Sequence, residues 1–186
     1  NLRTENSHRL RLSYNSFSQF SNIGLFSNVN FRYTDNNITN ARLIDQDFVT
    51  TTTPLNTDYA LNISGSVSFN APIKFLKHRI RISNRFSTNK SFLFINNTEN
   101  LTNRITNNVT VRLDNWKKDF IDFEIGTSIG FNNTKYSEDT QFNQSYINYR
   151  VFTEIDLDFK KDWTFTTNFS LRTYSDEDFG EQISLP

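Results

Sequence analysis

Residues Asp119 to Phe131 read DFIDFEIGTSIGF, with Ile121, Phe123, Ile125, Thr127, Ile129 and Phe131 at odd positions and Asp122, Glu124, Gly126, Ser128 and Gly130 at even ones. Side chains of a strand alternate between its two faces, so this period of two predicts a strand that is apolar on one face and polar and charged on the other. The question it raises is whether the apolar face meets a protein core or lipid.

The same alternation recurs nearly end to end, and no apolar stripe at helical spacing competes with it. The first predicted strand, near 8–16, sets Leu10, Leu12 and Tyr14 against Arg9, Arg11 and Ser13. A second covers 23–44, with Ile23, Leu25, Val29, Phe31 and Tyr33 in phase, and a third covers 48–70, where Tyr59, Leu61, Ile63, Val67 and Phe69 alternate with Asn and Ser. The fourth, 78–95, opposes Ile80, Ile82 and Phe86 to Arg79, Arg81 and Arg85, and the fifth, 101–114, opposes Ile105, Val109, Val111 and Leu113 to Arg104, Thr110 and Arg112. After the sixth, already quoted, the seventh (145–160) sets Ile147, Tyr149, Val151, Ile155, Leu157 and Phe159 against Arg150, Glu154, Asp156 and Asp158. The eighth (163–175) sets Trp163, Phe165, Phe169 and Leu171 against Asn168 and Arg172, and a ninth begins near Ile183.

Several of these segments run well beyond the ~5–6 residues usual in globular proteins and reach the ~9–11 that a membrane-crossing strand needs. Short connections (17–22, 71–77, 115–119, 160–162) alternate with wider polar ones (around 45–47, then 96–100, 132–145 and 174–182). Short turns on one side and longer loops on the other are the pattern of an outer-membrane barrel. Aromatics near the short turns (Phe17, Trp116, Phe120, Phe159, Trp163) are expected to supply an interfacial girdle. The expected fold is therefore all-β: an antiparallel up-and-down transmembrane β-barrel segment of about nine long meander strands, with residues 1–186 forming a single partial barrel domain. Open strand edges cannot face hydrocarbon, so the barrel is expected to need further strands. The contrasting expectation is a soluble or surface-exposed all-β binding module with no transport role.

Composition narrows the chemistry. Twenty basic and twenty acidic residues give a net charge of +0, which provides no electrostatic footprint for nucleic acid. There is no cysteine, and mean hydropathy is −0.60, yet aromatics reach 15%, too many for a disordered chain. The polar face mixes Arg with Asp and Glu, which predicts paired charges around water; Arg104, Arg112 or Arg150 would partner Asp122 and Glu124. His8 and His78 fall at opposite strand ends, and no nucleophile accompanies either, so no enzyme activity, cofactor or metal is expected. Asp176, Glu177 and Asp178 lack the spacing of a calcium loop and read as solvated loop.

NLRTE, at Asn1 to Glu5 ahead of a strand, resembles the Asn-Pro-x-Leu-Lys-Pro-Glu run of TonB-dependent receptor barrels, without its two prolines and with Arg3 in place of its lysine. The succession ISGSVSFNAPIKFLKHRIRIS (63–83), FINNTENLTNRITNNVTVRL (94–113), GFNNTKYS (130–137) and YRVFTEIDLDFKKDWTFTTNFS (149–170) is similar to the outer membrane protein β-barrel family, whose members resemble those receptors. That resemblance implies the outer membrane of a Gram-negative bacterium, a role in uptake or binding at the cell surface, and lipid as the partner of the apolar face. It also implies a plug, an N-terminal domain, further strands and a TonB-type energy-coupling partner, all through regions outside these residues. With the short turns periplasmic, the strands at 78–95, 119–131 and 163–175 run outward, and those at 48–70, 101–114, 145–160 and from 183 run inward. External loops then carry the candidate contact residues Tyr136, Asp139, Phe142, Asp176, Asp178 and Phe179.

Overall fold

β-Branched and aromatic residues set two apart favour extended backbone, and the chain is extended almost throughout. The computed structural model describes residues 2–44, 46–96, 98–115, 120–138, 140–159, 163–176 and 180–184. Eleven strands share one sheet: β1 (Asn6–Ser18), β2 (Ile23–Asp35), β3 (Ile38–Ile44), β4 (Thr50–Asn56), β5 (Tyr59–Ile73), β6 (His78–Ile95), β7 (Thr98–Asn115), β8 (Ile121–Tyr136), β9 (Gln144–Phe159), β10 (Trp163–Asp176) and β11 (Gly180–Ser184). Nine of them form an antiparallel path in the order β1-β2-β5-β6-β7-β8-β9-β10-β11, the all-β meander the alternation predicts. The described residues include no helix long and apolar enough to cross a membrane.

The remaining two strands differ from expectation. The segments 23–44 and 48–70 are not single strands: the β2–β5 ladder ends at Asp35 opposite Tyr59 and resumes as β3–β4 with Ile38 opposite Asn56. At the break Asn36 has a φ of 50°, a left-handed conformation that Asn adopts more readily than most residues. Beyond it the hairpin is turned over. A straight continuation would lay β4, which extends β5, beside β6; instead β3 runs parallel to β6, with Arg42 opposite Ile95 and the Asn96 amide donating to the Arg42 carbonyl at 2.9 Å. Asn56 at the end of β4 faces the other way, accepting from the Arg3 amide at 2.6 Å. A two-stranded ribbon twists more than a wide sheet, which accounts for the rotation once the ladder is interrupted.

The connections are also tighter than expected. The short turns at 19–22 and 74–77 lie at one end of the sheet, called here the near end. At the far end, 96–100 is not a wide loop: β6 and β7 pair all the way from His78–Asn115 to Ile95–Thr98, so that 98–100 belong to the ladder. The loop 132–145 shrinks to 137–143, with one 3-10 turn at Thr140–Phe142, because β8 and β9 extend into it. Asn and Thr, which read as loop in the sequence, here pair as strand.

The sheet is inside out relative to a soluble protein. Among the described residues no apolar side chain is buried, while Asp114 (6% exposed) and Asn100 (5%) are. On β8 the odd positions Ile121, Ile125, Ile129 and Phe131 are exposed, and the even positions from Asp122 to Asn132 are half-buried or buried. In a sandwich a second layer would cover the apolar face. Here none does.

Candidate functional site: the two faces of the sheet

Cross-strand register sorts both faces into rows. One apolar row runs Leu25, Phe69, Ile82, Val111, Thr127, Val151, Leu171 across β2 and β5 to β10. Leu25 stands two residues from Ile23, the near end of the apolar run on β2, whereas Leu171 stands eight residues from Trp163, the near end of that on β10. Between these two strands the near end of the apolar run slips six residues over the six strand-to-strand steps of the row, an average of one per strand; the slip gathers in β8 to β10, since Ile80 and Leu113 stand two residues from the row on β6 and β7, as Ile23 does on β2. With ~3.3 Å per residue and ~4.8 Å between strands, a slip of one residue per strand sets the strands about 35° from the normal to the band. On β2 the band spans Ile23 to Tyr33, ten residue steps. That is about 33 Å along the strand and about 27 Å in height at this tilt.

The far border of the band is marked on the same face. Lys90, Asn103 and Lys135 fall in the row of Tyr33, which leaves the tilted border progressively from β2 to β8, and Tyr33, Tyr59 and Phe92 cluster at its start, Tyr33 stacked on Tyr59 at 6.0 Å and Tyr59 edge-on to Phe92 at 5.4 Å. The sequence reading placed an aromatic girdle only at the near end. There Trp163 (78% exposed) and Phe120 are open to the surroundings, and Trp116 lies outside the described residues. Phe17 is not part of that girdle: it pairs with Gly24, which places it on the polar face.

The polar face is zoned by charge. Its near-end rows hold Asp114, Asp122, Glu124, Glu154, Asp156 and Asp158 on β7 to β9. Asp122 stands directly opposite Asp156, and Glu124 opposite Glu154. Arg79 grips the Asp114 carboxylate through Nε at 3.1 Å and through Nη2, and Arg81 Nη2 reaches the same oxygen at 3.2 Å. Arg112 Nη1 donates to Glu124 at 3.1 Å, the partnership the sequence predicts. Together Arg79, Arg81, Asp114, Asp122, Glu124, Glu154 and Asp156 line a recess of about 150 Å³.

One row further on, Phe152 breaks the phase of β9 and lies on the polar face over Gly126, where an added Cβ would collide with its ring. The Arg112 and Arg150 guanidinium groups sit 5.3 and 5.0 Å from that ring. So Arg150 meets an aromatic face rather than Asp122 or Glu124, and Arg104 makes no carboxylate pair among the described residues. Phe152 was detectable as an aromatic out of phase. Its seat on Gly126 depends on register and was not.

The loop candidates are dispersed. Tyr136 is half-buried and closes β8 opposite Thr102, its amide donating to Asn143 Oδ1 at 2.7 Å. Buried Asn100 accepts from the Ser137 amide at 3.0 Å, so the start of this loop is pinned to β7. Phe142 is exposed in the 3-10 turn. Asp139, Asp178 and Phe179 lie outside the described residues, and Asp176 closes β10 opposite Tyr146. His8 pairs with Tyr33 toward the far end, and His78 opens β6 at the near end with its ring 5.1 Å from Phe123. Among the described residues, no three His, Asp or Glu side chains converge as a metal site.

No family model, curated protein or solved structure matches the chain.

Proposed function

We propose that this chain is part of the wall of a receptor-like outer-membrane β-barrel in a Gram-negative bacterium, serving uptake or binding at the cell surface. The observation that carries the proposal is the tilted apolar band: about 27 Å high, on strands inclined by about 35°, bordered by Tyr at its far side. Outer-membrane barrels have a band ~25 Å tall with aromatic borders on strands tilted ~35–45°. In water, each large apolar side chain left exposed forgoes the ~1.5–3 kcal/mol that burial would provide. Lipid supplies that burial without a second protein layer, and the polar face then lines a water-filled interior. The partners in this reading are outer-membrane lipid, the remaining strands and plug of the same barrel, and a TonB-type energy-coupling protein.

The test is fractionation of the full-length protein with an arginine scan of both faces. Extraction only by detergent and a gel mobility that changes on heating are expected. Ile125→Arg, on the apolar face, should sharply reduce assembly, since such a charge costs ~2–4 kcal/mol near midplane, while Thr106→Arg on the polar face should be tolerated. Recovery in the aqueous fraction, with both variants equally tolerated, would replace this reading with a soluble all-β binding module.

A further inference from the structure

The polar face carries a second zone that the acidic recess does not explain. Beyond the row of Arg81 and Arg112 it presents seven arginines: Arg9, Arg11, Arg32, Arg85, Arg104, Arg150 and Arg172. Among the described strand residues, the acidic position of that parity is Asp176, at the far end of β10, and the Glu5 carboxylate just ahead of β1 is engaged by the Ile38 amide at 2.9 Å. Two arginine pairs are in direct cross-strand register, Arg9 opposite Arg32 and Arg150 opposite Arg172. Like charges directly opposite each other are destabilising, and here no carboxylate among the described residues bridges either pair. The intervening positions are neutral donors and acceptors such as Asn30, Ser64, Ser87, Thr106 and Asn132. The carboxylates that would balance the zone are gathered on the near-end rows instead, where Asp114 and Glu124 are already engaged.

We infer that this arginine zone binds small solutes carrying two or more carboxylate or phosphate groups. Guanidinium groups present planar donor forks that match both oxyanions, and arginine-lined passages select anions. Arg9 and Arg32 sit on adjacent strands, while Arg104 lies in the same row three strands beyond Arg32, about 14 Å away at ~4.8 Å per strand. A solute with several anionic groups spans more of these positions than a single ion does. The inference deepens the barrel reading and rests on it, because that reading makes the polar face a wet interior open to solutes.

The experiment is calorimetric titration of the detergent-solubilised full-length protein with citrate and with pyrophosphate, alongside sucrose and spermidine. Citrate and pyrophosphate are expected to bind, more weakly as salt is raised, and sucrose and spermidine are not. The double variant Arg32→Gln with Arg150→Gln should lose about tenfold in affinity for citrate, the loss expected for one or more charged hydrogen bonds. Arg32→Lys with Arg150→Lys, which keeps the charge and removes the fork, should fall between the two. Heat-dependent gel mobility of every variant verifies that the fold is intact. Absence of citrate binding, binding unchanged in the Gln variant, or equal binding of sucrose would each overturn the inference. A wild-type protein that binds citrate but needs no detergent would uphold the anion zone and remove the barrel instead.

Discussion

Phe152 on β9 lies across the strand pair from Gly126 on β8, its ring filling the space above the glycine and carrying Arg112 and Arg150 on its faces. The glycine has no side chain to lend to the sheet, and the aromatic on the neighbouring strand covers its exposed backbone. This explains why an aromatic leaves the apolar face at this position. Gly126→Val should therefore force the ring out, at an overpacking cost of about 1–3 kcal/mol. Phe152→Ala should destabilise by a similar route, uncovering Gly126. Because both changes break one contact, the double variant should cost less than the sum of the two, which the unfolding temperatures of the four proteins in detergent would reveal. Strict additivity would show that the two residues are independent.

Asp114 holds two guanidinium groups at the near end with 9% of its side chain exposed, whereas Glu124, at 24%, holds one. Removing Asp114 leaves Arg79 and Arg81 facing each other across one intervening residue with no shared carboxylate. Asp114→Ala is expected to cost about 1–3 kcal/mol, moderated because both arginines are over a third exposed and can rehydrate. Glu124→Ala, which breaks a more open pair, should cost about 0–1 kcal/mol. Chemical denaturation of the two variants in one detergent ranks them, and a larger loss at Glu124 would contradict the network.

How much of this was legible beforehand follows from which interactions are local. The two faces of β8 are plain in DFIDFEIGTSIGF, because alternation is a property of one strand, and the nine-strand path follows from repeating it. Register is not local. That Leu25 shares a row with Leu171, or Phe152 with Gly126, emerges only when turns fix which residues stand opposite. The same limit hid the charge zoning, since Arg104 and Arg150 are within reach of Asp122 on paper but stand in different rows. The stretch 96–100 read as loop from its Asn content, yet Thr98, Glu99 and Asn100 are strand, paired with Ile95, Phe94 and Leu93 at the end of the β6–β7 ladder. The turned-over β3–β4 ribbon left no signal, since the extended pattern continues through Asn36 and Asn37.

The direction of the strands can be tested at the ends the structure describes. With the short turns periplasmic, Phe142→Cys should react with a membrane-impermeant thiol reagent on whole cells, and Phe75→Cys, in the 74–77 turn and 86% exposed, should react only after the outer membrane is opened. The chain has no cysteine of its own to confuse the label. The loop positions Asp139 and Asp178 should label as Phe142 does, and Lys118 as Phe75 does. The opposite pattern would invert the topology and withdraw the far-end loops as sites of ligand contact.

The tilt of the apolar band makes a sharper demand than its existence. Leu25, Val111 and Leu171 are in one row and would be equally deep if the strands stood upright. With an average slip of one residue per strand they are not: on the line drawn from β2 to β10, Val111 falls near the middle of the band, Leu25 close to its near border and Leu171 close to its far border. The displacement is about three residues either way, or about 8 Å of height at ~3.3 Å per residue and the tilt derived above. A charge at midplane costs ~2–4 kcal/mol, and one near a border ~0–1 kcal/mol, because the long arginine stem lets its head reach water. Val111→Arg should therefore impair folding into lipid vesicles strongly, and Leu25→Arg and Leu171→Arg only slightly, as measured by the yield of heat-modifiable protein. Three equal losses would mean that the row is level with the membrane and the tilt is wrong; three negligible losses would mean that this face does not meet lipid at all.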